Sequence, residues 1–227
     1  MKAAQTAHPG LPGEPISLRE LREACRKYDE CTSYNESLER VRTRIGPDMD
    51  LGRLRTATGE DPFECLIDFL NQWGCRLPKK SPQLRKQTKD GLRAWWQQYA
   101  RALPSRSERL IDAPLDSDRV LTLYRQLRKG PYGFGPASAS KTLYVLRPKV
   151  FIPWDRKIRT ALGHGEGPGD HYMQYLANAR CDLIGADDRR ERKRSCLDEL
   201  ESQLGCSAAE LINKLYFMRY TYPSRKR

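Results

Sequence analysis

The stretch LRKGPYGFGPASASKTLYVLRPKVFIPWDRKIRTALG, residues 127–163, decides the fold. A helix ending near Lys129 enters a short turn that holds Gly133-Phe134-Gly135, and a second helix opens on Pro136, at a first helical position where a missing N–H costs nothing. The reading is helix, glycine hairpin, helix. Glycines permit positive φ and close backbone approach, so the hairpin N–H groups and the positive end of the second helix are free to meet a phosphate. Such a contact grips a nucleic-acid backbone without reading its sequence. Ala139, four residues after Gly135, lets the two helices pack tightly. Further on, Val150-Phe151-Ile152 is clamped between Pro148 and Pro153 and predicts an extended connector, after which Asp155 opens a short helix over Arg156 to Leu162.

Outward from this segment the helical period continues. Apolar residues recur at three- and four-residue intervals in Leu18/Leu21/Cys25, Phe63/Leu66/Ile67/Leu70, Leu92/Trp95/Trp96/Tyr99, Val120/Leu121/Tyr124/Leu127 and Leu211/Ile212/Leu215/Tyr216. No alternating strand pattern of comparable length exists, so the fold class is all-α. The breakers divide the chain into a loose tail at 1–16, N-terminal helices at 17–59 that pack with the C-terminal part, a central helical block at 60–162, and a C-terminal helical group at 163–227. Within these, 46–59, 77–82 and the glycine-rich 163–169 read as linkers or functional loops. Two helical subdomains flanking a cleft are expected.

Composition limits the partners. The 227 residues carry 41 Lys and Arg against 29 Asp and Glu, a net charge of +12, which favours a polyanion and above all nucleic acid. No run of 18 apolar residues occurs and residues 1–15 lack a hydrophobic signal core, so neither a membrane span nor secretion is expected, and the cytoplasm is the expected compartment. Seven cysteines without a C-x-x-C pair argue for free thiols. Only three histidines are present, His8, His164 and His171, and the intervals between Cys181, Cys196 and Cys206 are wide, so no metal site or other cofactor is expected. The basic run Arg189 to Arg194 reads as a solvated helix face or as a nucleic-acid contact.

The pattern G-x-G-x-x-x-A from Gly133 to Ala139, followed by an apolar helix, by Pro153-x-Asp155 and by another short helix, resembles the helix-hairpin-helix (HhH-GPD) DNA glycosylase superfamily. The specific resemblance covers 133–163; the helical layout is compatible across 17–220. It implies a hairpin docked on the DNA backbone through Gly133, Phe134, Gly135 and Ala137, and a catalytic carboxylate at Asp155, twenty residues after Gly135. Two departures matter. Ala137 stands where the strand-cleaving branches carry a nucleophilic lysine, and Lys141 lies one helical turn further on, roughly 6 Å along the axis. The C-terminal four-cysteine iron–sulfur signature of the family is also absent. The resemblance therefore implies a monofunctional, cluster-free glycosylase acting on double-stranded DNA as a monomer; the alternative is that Lys141 serves as a displaced amine, for which it would have to reach back. The superfamily includes repair enzymes for damaged or mismatched bases and phage-defence enzymes that attack hypermodified bases such as glucosylated hydroxymethylcytosine; the compact, lysine-less chain looks more like the latter.

For that chemistry the carboxylate has a physical task. Breaking an N-glycosidic bond builds positive charge on the deoxyribose, which a fixed carboxylate stabilises while it orients or deprotonates water. Asp155 has a second reading as the N-cap of the helix that follows, and the two are compatible. Base removal also requires extrusion of a nucleotide and something to fill the gap. Gln72, in the loop Asn71 to Arg76, is the candidate plug, or else part of a polar turn beside a core Trp73. Arg76, Lys79, Lys80, Arg85, Lys86 and Lys89 are candidate phosphate contacts or solvated charges. Tyr132 and Trp154 flank the hairpin and the carboxylate, and either stack on an extruded base or simply pack. Trp95, Trp96 and Tyr99 read as core. From another class, a non-catalytic DNA clamp needs the glycines and the basic rim but no carboxylate facing a pocket; RNA binding lacks any recognition motif.

Overall fold

In the computed structural model the described residues are 16–46, 48–52, 56, 59–112, 114–164, 169–187 and 196–222. The tail at 1–15, most of the 163–169 junction and the basic run Arg189 to Arg194 lie outside them. The chain is all-α. Among the described residues ten α-helices follow one another: α1 Leu18–Cys31, α2 Tyr34–Ile45, α3 Pro62–Gln72, α4 Pro82–Tyr99, α5 Ser117–Lys129, α6 Pro136–Leu146, α7 Arg156–Ala161, α8 Gly169–Asp187, α9 Cys196–Leu204 and α10 Ala208–Tyr216, with a wider π-type turn at Phe217–Thr221. No strand occurs among the described residues, and none of their helices is long and apolar enough to cross a membrane.

Helix starts follow from local chemistry. Ser17 with Glu20 and Ser207 with Glu210 form reciprocal capping boxes on α1 and α10, so each pair satisfies N–H groups that the first turn leaves open. Asp61 and Ser81 cap α3 and α4, each followed by proline at the first position. The α5–α6 pair is joined by a short turn in which Gly133 has φ 77°. Its base is fixed by α4, where a Cβ on Gly91 would lie 2.6 Å from Pro131 Cα and 2.8 Å from the Gly130 carbonyl. The Thr88 hydroxyl, also on α4, lies 2.9 Å from the Tyr132 carbonyl.

Packing then sorts the helices. α3 lies against α2, α4 and α6; α5 lies against α4, α6 and α8; α10 lies against α1, α8 and α9; and α7 lies against the turn at Phe217–Thr221. The two N-terminal helices therefore part company, α1 on α10 and α2 on α3. Trp95 is core, its indole N–H reaching the Leu123 carbonyl at 3.3 Å, while Trp96 and Tyr99 are partly buried against the same core. Val150, Phe151 and Ile152 form no strand and are completely buried, so the connector from α6 to α7 threads the interior.

Candidate functional site

Asp155 stands where this connector meets α7. Its Oδ1 accepts the backbone N–H groups of Lys157 at 2.9 Å and Ile158 at 3.0 Å, which makes it the N-cap of α7. Its Oδ2 accepts the Thr221 hydroxyl at 3.2 Å. The chain leading to it is held residue by residue. Tyr172 and Tyr175 on α8 donate their hydroxyls to the Ile152 and Pro153 carbonyls, each at 3.1 Å. The Trp154 N–H donates to Ser140 Oγ on α6 at 2.9 Å, and Arg159 donates to the Trp154 carbonyl at 3.0 Å. Burial pushes both tyrosines well above the usual phenol value, with the Asp155 charge adding to the effect at Tyr175, so both remain protonated donors.

A cleft of about 450 Å³ opens beside Asp155. Lys141, Ala137 and Arg76 line it, and so do Tyr28, Tyr34, Trp73, Asn213 and Phe217. Lys141 is 9% exposed; its ammonium donates to the Trp73 carbonyl at 2.6 Å and lies 5.9 Å from the centre of the Trp73 ring. That engagement ties α6 to the loop after α3.

A second, shallower recess carries the other half of the expected surface. Gly133 and Tyr132 from the hairpin line it opposite Arg76, Lys79 and Lys80. Arg76 lines both recesses, so the hairpin groove and the Asp155 cleft adjoin at this residue. The loop between them is tightly folded: Asn71 Oδ1 accepts the Leu77 N–H at 2.7 Å, Gly74 has φ 80°, and Arg76 itself has φ 55°. A left-handed arginine costs on the order of 1 kcal/mol, and such residues persist where their surroundings hold them. A Cβ on Gly133 would come 3.3 Å from Pro78 Cδ, so this glycine is what lets the hairpin touch the loop. Gly135 differs: its φ of −135° suits any residue, and a Cβ there would meet nothing within 4 Å. No side chain caps α6, which leaves the first N–H groups of that helix open beside Ala137 at the cleft rim.

The electrostatics separate two kinds of cation. Arg85 pairs with Glu64 at 2.7 Å and Asp68 at 2.6 Å, Lys86 with Asp90 at 2.6 Å, and Lys89 with Glu64 at 3.1 Å and Asp61 at 3.4 Å. These three are engaged by carboxylates, which favours the second of the two readings, charges not reserved for phosphate. Arg76, Lys79, Lys80 and Arg156 make no ion pair with any described residue.

Other expected residues fall elsewhere. Trp154 is completely buried, tilted or stacked against Tyr124, Tyr172 and Tyr175 with ring centres 5.5–6.2 Å away, so it has no face to offer a base. Its role is to anchor the connector. Tyr132 is exposed but lies in the hairpin groove, outside the cleft. Phe134 is half-buried against the core. Gln72 is exposed at the end of α3 and lines neither recess, whereas Arg76, four residues on, lines both. The cleft residues that no sequence signal marked include Tyr28, Asn213 and Phe217, brought in by the packing of α1 on α10, and Tyr34, brought in by α2 on α3. Their separation along the chain hides them from any local pattern.

Two further features bound the alternatives. A larger recess of about 680 Å³ between α2 and residues 145–150 shares no lining residue with the Asp155 cleft, and its Asp48 and Glu39 are paired with Arg106 and Arg42. Among the described residues no three His, Cys, Asp or Glu side chains gather as a metal site, and the cysteines are free. No protein-family model, no curated protein and no solved structure matches the chain.

Proposed function

We propose that the protein is a monofunctional DNA glycosylase that extrudes a modified base from duplex DNA and hydrolyses its N-glycosidic bond. What carries the reading is a single convergence: Asp155 before α7, Ala137 and Lys141 on α6, and Arg76 from the loop after α3 line one cleft, and Arg76 also lines the adjoining groove of the glycine hairpin. A pure clamp has use for the groove but not for an oriented carboxylate in an adjoining pocket. The hairpin and the open N–H groups of α6 meet one phosphate run, while Lys79 and Lys80 meet its neighbours. A nucleotide rotated outward then enters the cleft, whose volume lies in the usual range for a small-ligand site. Arg76 is placed at the junction to fill the gap left in the stack.

In the reaction the C1′–N bond breaks and its electrons leave on the base, while positive charge grows on the sugar. Asp155 Oδ1 is committed to the α7 cap, so Oδ2 faces that charge and accepts a proton from water as the water oxygen bonds to C1′. The proton passes on to the departing base, and an abasic site remains. Lys141 acts here as a fixed cation that holds the Trp73 loop. No covalent intermediate with the sugar forms.

The test is an aldehyde-reactive abasic-site assay on phage DNA carrying glucosylated hydroxymethylcytosine, on unmodified DNA and on a panel of damaged-base duplexes. The reading expects abasic sites on the modified DNA without borohydride-trapped enzyme. Duplex binding with no excision on any substrate would leave the clamp instead.

A further inference from the structure

The Asp155 cleft holds a polar group that the reaction does not use. Asn213, on α10, is only 5% exposed, yet its carboxamide makes no hydrogen bond with any described residue and it lines the cleft. A carboxamide that lines a cleft offers two donors and two acceptor lone pairs to whatever occupies it. Aromatic rings line the cleft with it. Tyr28 and Phe217 meet edge to face with ring centres 5.1 Å apart, Phe217 meets Tyr34 at 5.8 Å, and Tyr34 meets Trp73 at 5.3 Å, which makes one continuous aromatic wall. A wall of rings, one unpartnered amide and, across the cleft, one oriented carboxylate form a site for a flat heterocycle attached to a sugar.

We infer that Asn213 is the specificity-determining residue of this pocket, reading the Watson–Crick edge of the extruded base with its carboxamide while the aromatic wall takes the base's face. This inference rests on the glycosylase reading above and adds to it the chemistry of the substrate: a base with a hydrogen-bond donor and an acceptor side by side on that edge. The amide matches such a pair in either order, its Oδ1 accepting from the base N–H and its Nδ2 donating to the adjacent ring nitrogen or carbonyl. A bulky substituent on the opposite edge of a pyrimidine leaves this contact intact. The position is also well chosen mechanically, because α10 carries a Ser207–Glu210 capping box at its N-terminus and packs on three other helices, so the backbone that presents the amide is held.

The test uses the full chain with Asn213→Ala and Asn213→Asp, the latter keeping the shape but replacing the donor with a second acceptor. Single-turnover excision is followed on duplexes carrying glucosylated hydroxymethylcytosine, hydroxymethylcytosine, uracil, hypoxanthine and 8-oxoguanine, and affinity is measured for a duplex with a tetrahydrofuran abasic analogue, which places no base in the pocket. Loss of one paired edge lowers the rate on the preferred base by about ten- to a hundredfold, with rates on the other bases changed far less, so that the preference flattens. Affinity for the tetrahydrofuran duplex stays at the wild-type level. Rates that fall equally on every base, or that stay at the wild-type level on the preferred base, overturn the role of Asn213 while leaving the glycosylase standing. Absence of excision by the wild-type protein on every duplex overturns both.

Discussion

Replacing Asp155 by asparagine separates the two tasks that one carboxylate performs. As N-cap its Oδ1 receives two backbone N–H groups at 2.9 and 3.0 Å, and an asparagine carbonyl oxygen accepts the same bonds. Asparagine and aspartate cap about equally well, whereas alanine at such a position costs about 0.5–2 kcal/mol. In a domain of this size about 1 kcal/mol moves the melting temperature by roughly 2–4 °C. Asp155→Asn is therefore expected to melt within about 2 °C of the wild type, and Asp155→Ala several degrees lower. Catalysis follows a different order. Both variants lose the negative charge and the proton acceptor facing C1′, so both lose about 10²- to 10⁴-fold in single-turnover excision. Thermal unfolding and the abasic-site assay on the same preparations read the two effects independently. An asparagine variant that melts normally and excises within tenfold of the wild type would show Asp155 to be a cap and nothing more, and the mechanism would fall with it.

Three other perturbations test the groove and its support. Lys79→Gln with Lys80→Gln should lower the slope of log affinity against log salt by about 1.8, near 0.9 for each phosphate contact, whereas Arg85→Gln should leave the slope unchanged and instead destabilise the α3–α4 contact; filter binding at several salt concentrations checks this. Gly135→Ala should cost no more than about 1 kcal/mol of stability yet weaken DNA binding, because its Cβ projects into open space at the hairpin, while Gly91→Ala should cost about 1–3 kcal/mol because its Cβ collides with the hairpin backbone; equal melting temperatures for the two would contradict the packing argument. Burial and the neighbouring His171 hold His164 below the usual 6.5, so the unfolded chain takes the proton first: stability should fall as pH drops through about 6.5 and level off once the folded histidine is also charged. Its ring lies 5.7 Å from Trp154, so tryptophan fluorescence in urea titrations from pH 7.5 to 5 should show that loss, and His164→Gln should flatten it.

The sequence made legible what depends on near neighbours. Pro136 at the first position of α6, the turn at Gly133 and the cap at Asp155 are each written within a few residues, because the backbone constraints that enforce them act over one turn. Side chains set by distant elements were illegible or misread. Arg85 and Lys89 show their sign in the sequence, but not that Glu64 and Asp68 of α3 and its cap Asp61 face them in space. Trp154 adjoins Asp155 in the chain, yet successive residues of an extended connector point to opposite sides, so one is buried and the other reaches the cleft. The aromatic wall and Asn213 come from distant parts of the chain, Tyr28 of α1, Tyr34 of α2, Trp73 after α3 and Phe217 after α10, joined only by the packing of α1 on α10 and of α2 on α3.

That division has a mechanical consequence. A carboxylate stabilises growing charge best when it need not reorganise at the moment of reaction, which requires that its backbone be immobile before substrate arrives. The three consecutive residues before Asp155 are fixed by three helices between them: the Ile152 and Pro153 carbonyls by tyrosines of α8, the Trp154 N–H by Ser140 of α6, and the Trp154 carbonyl by Arg159 of α7. Ser140 itself donates to the Ala137 carbonyl at the start of α6, one turn from the hairpin. The helix whose first turn lines the cleft at Ala137 therefore also holds the peptide that presents the carboxylate. Under the proposed function, docking of the DNA backbone on the hairpin and alignment of C1′ with Asp155 are coupled through α6.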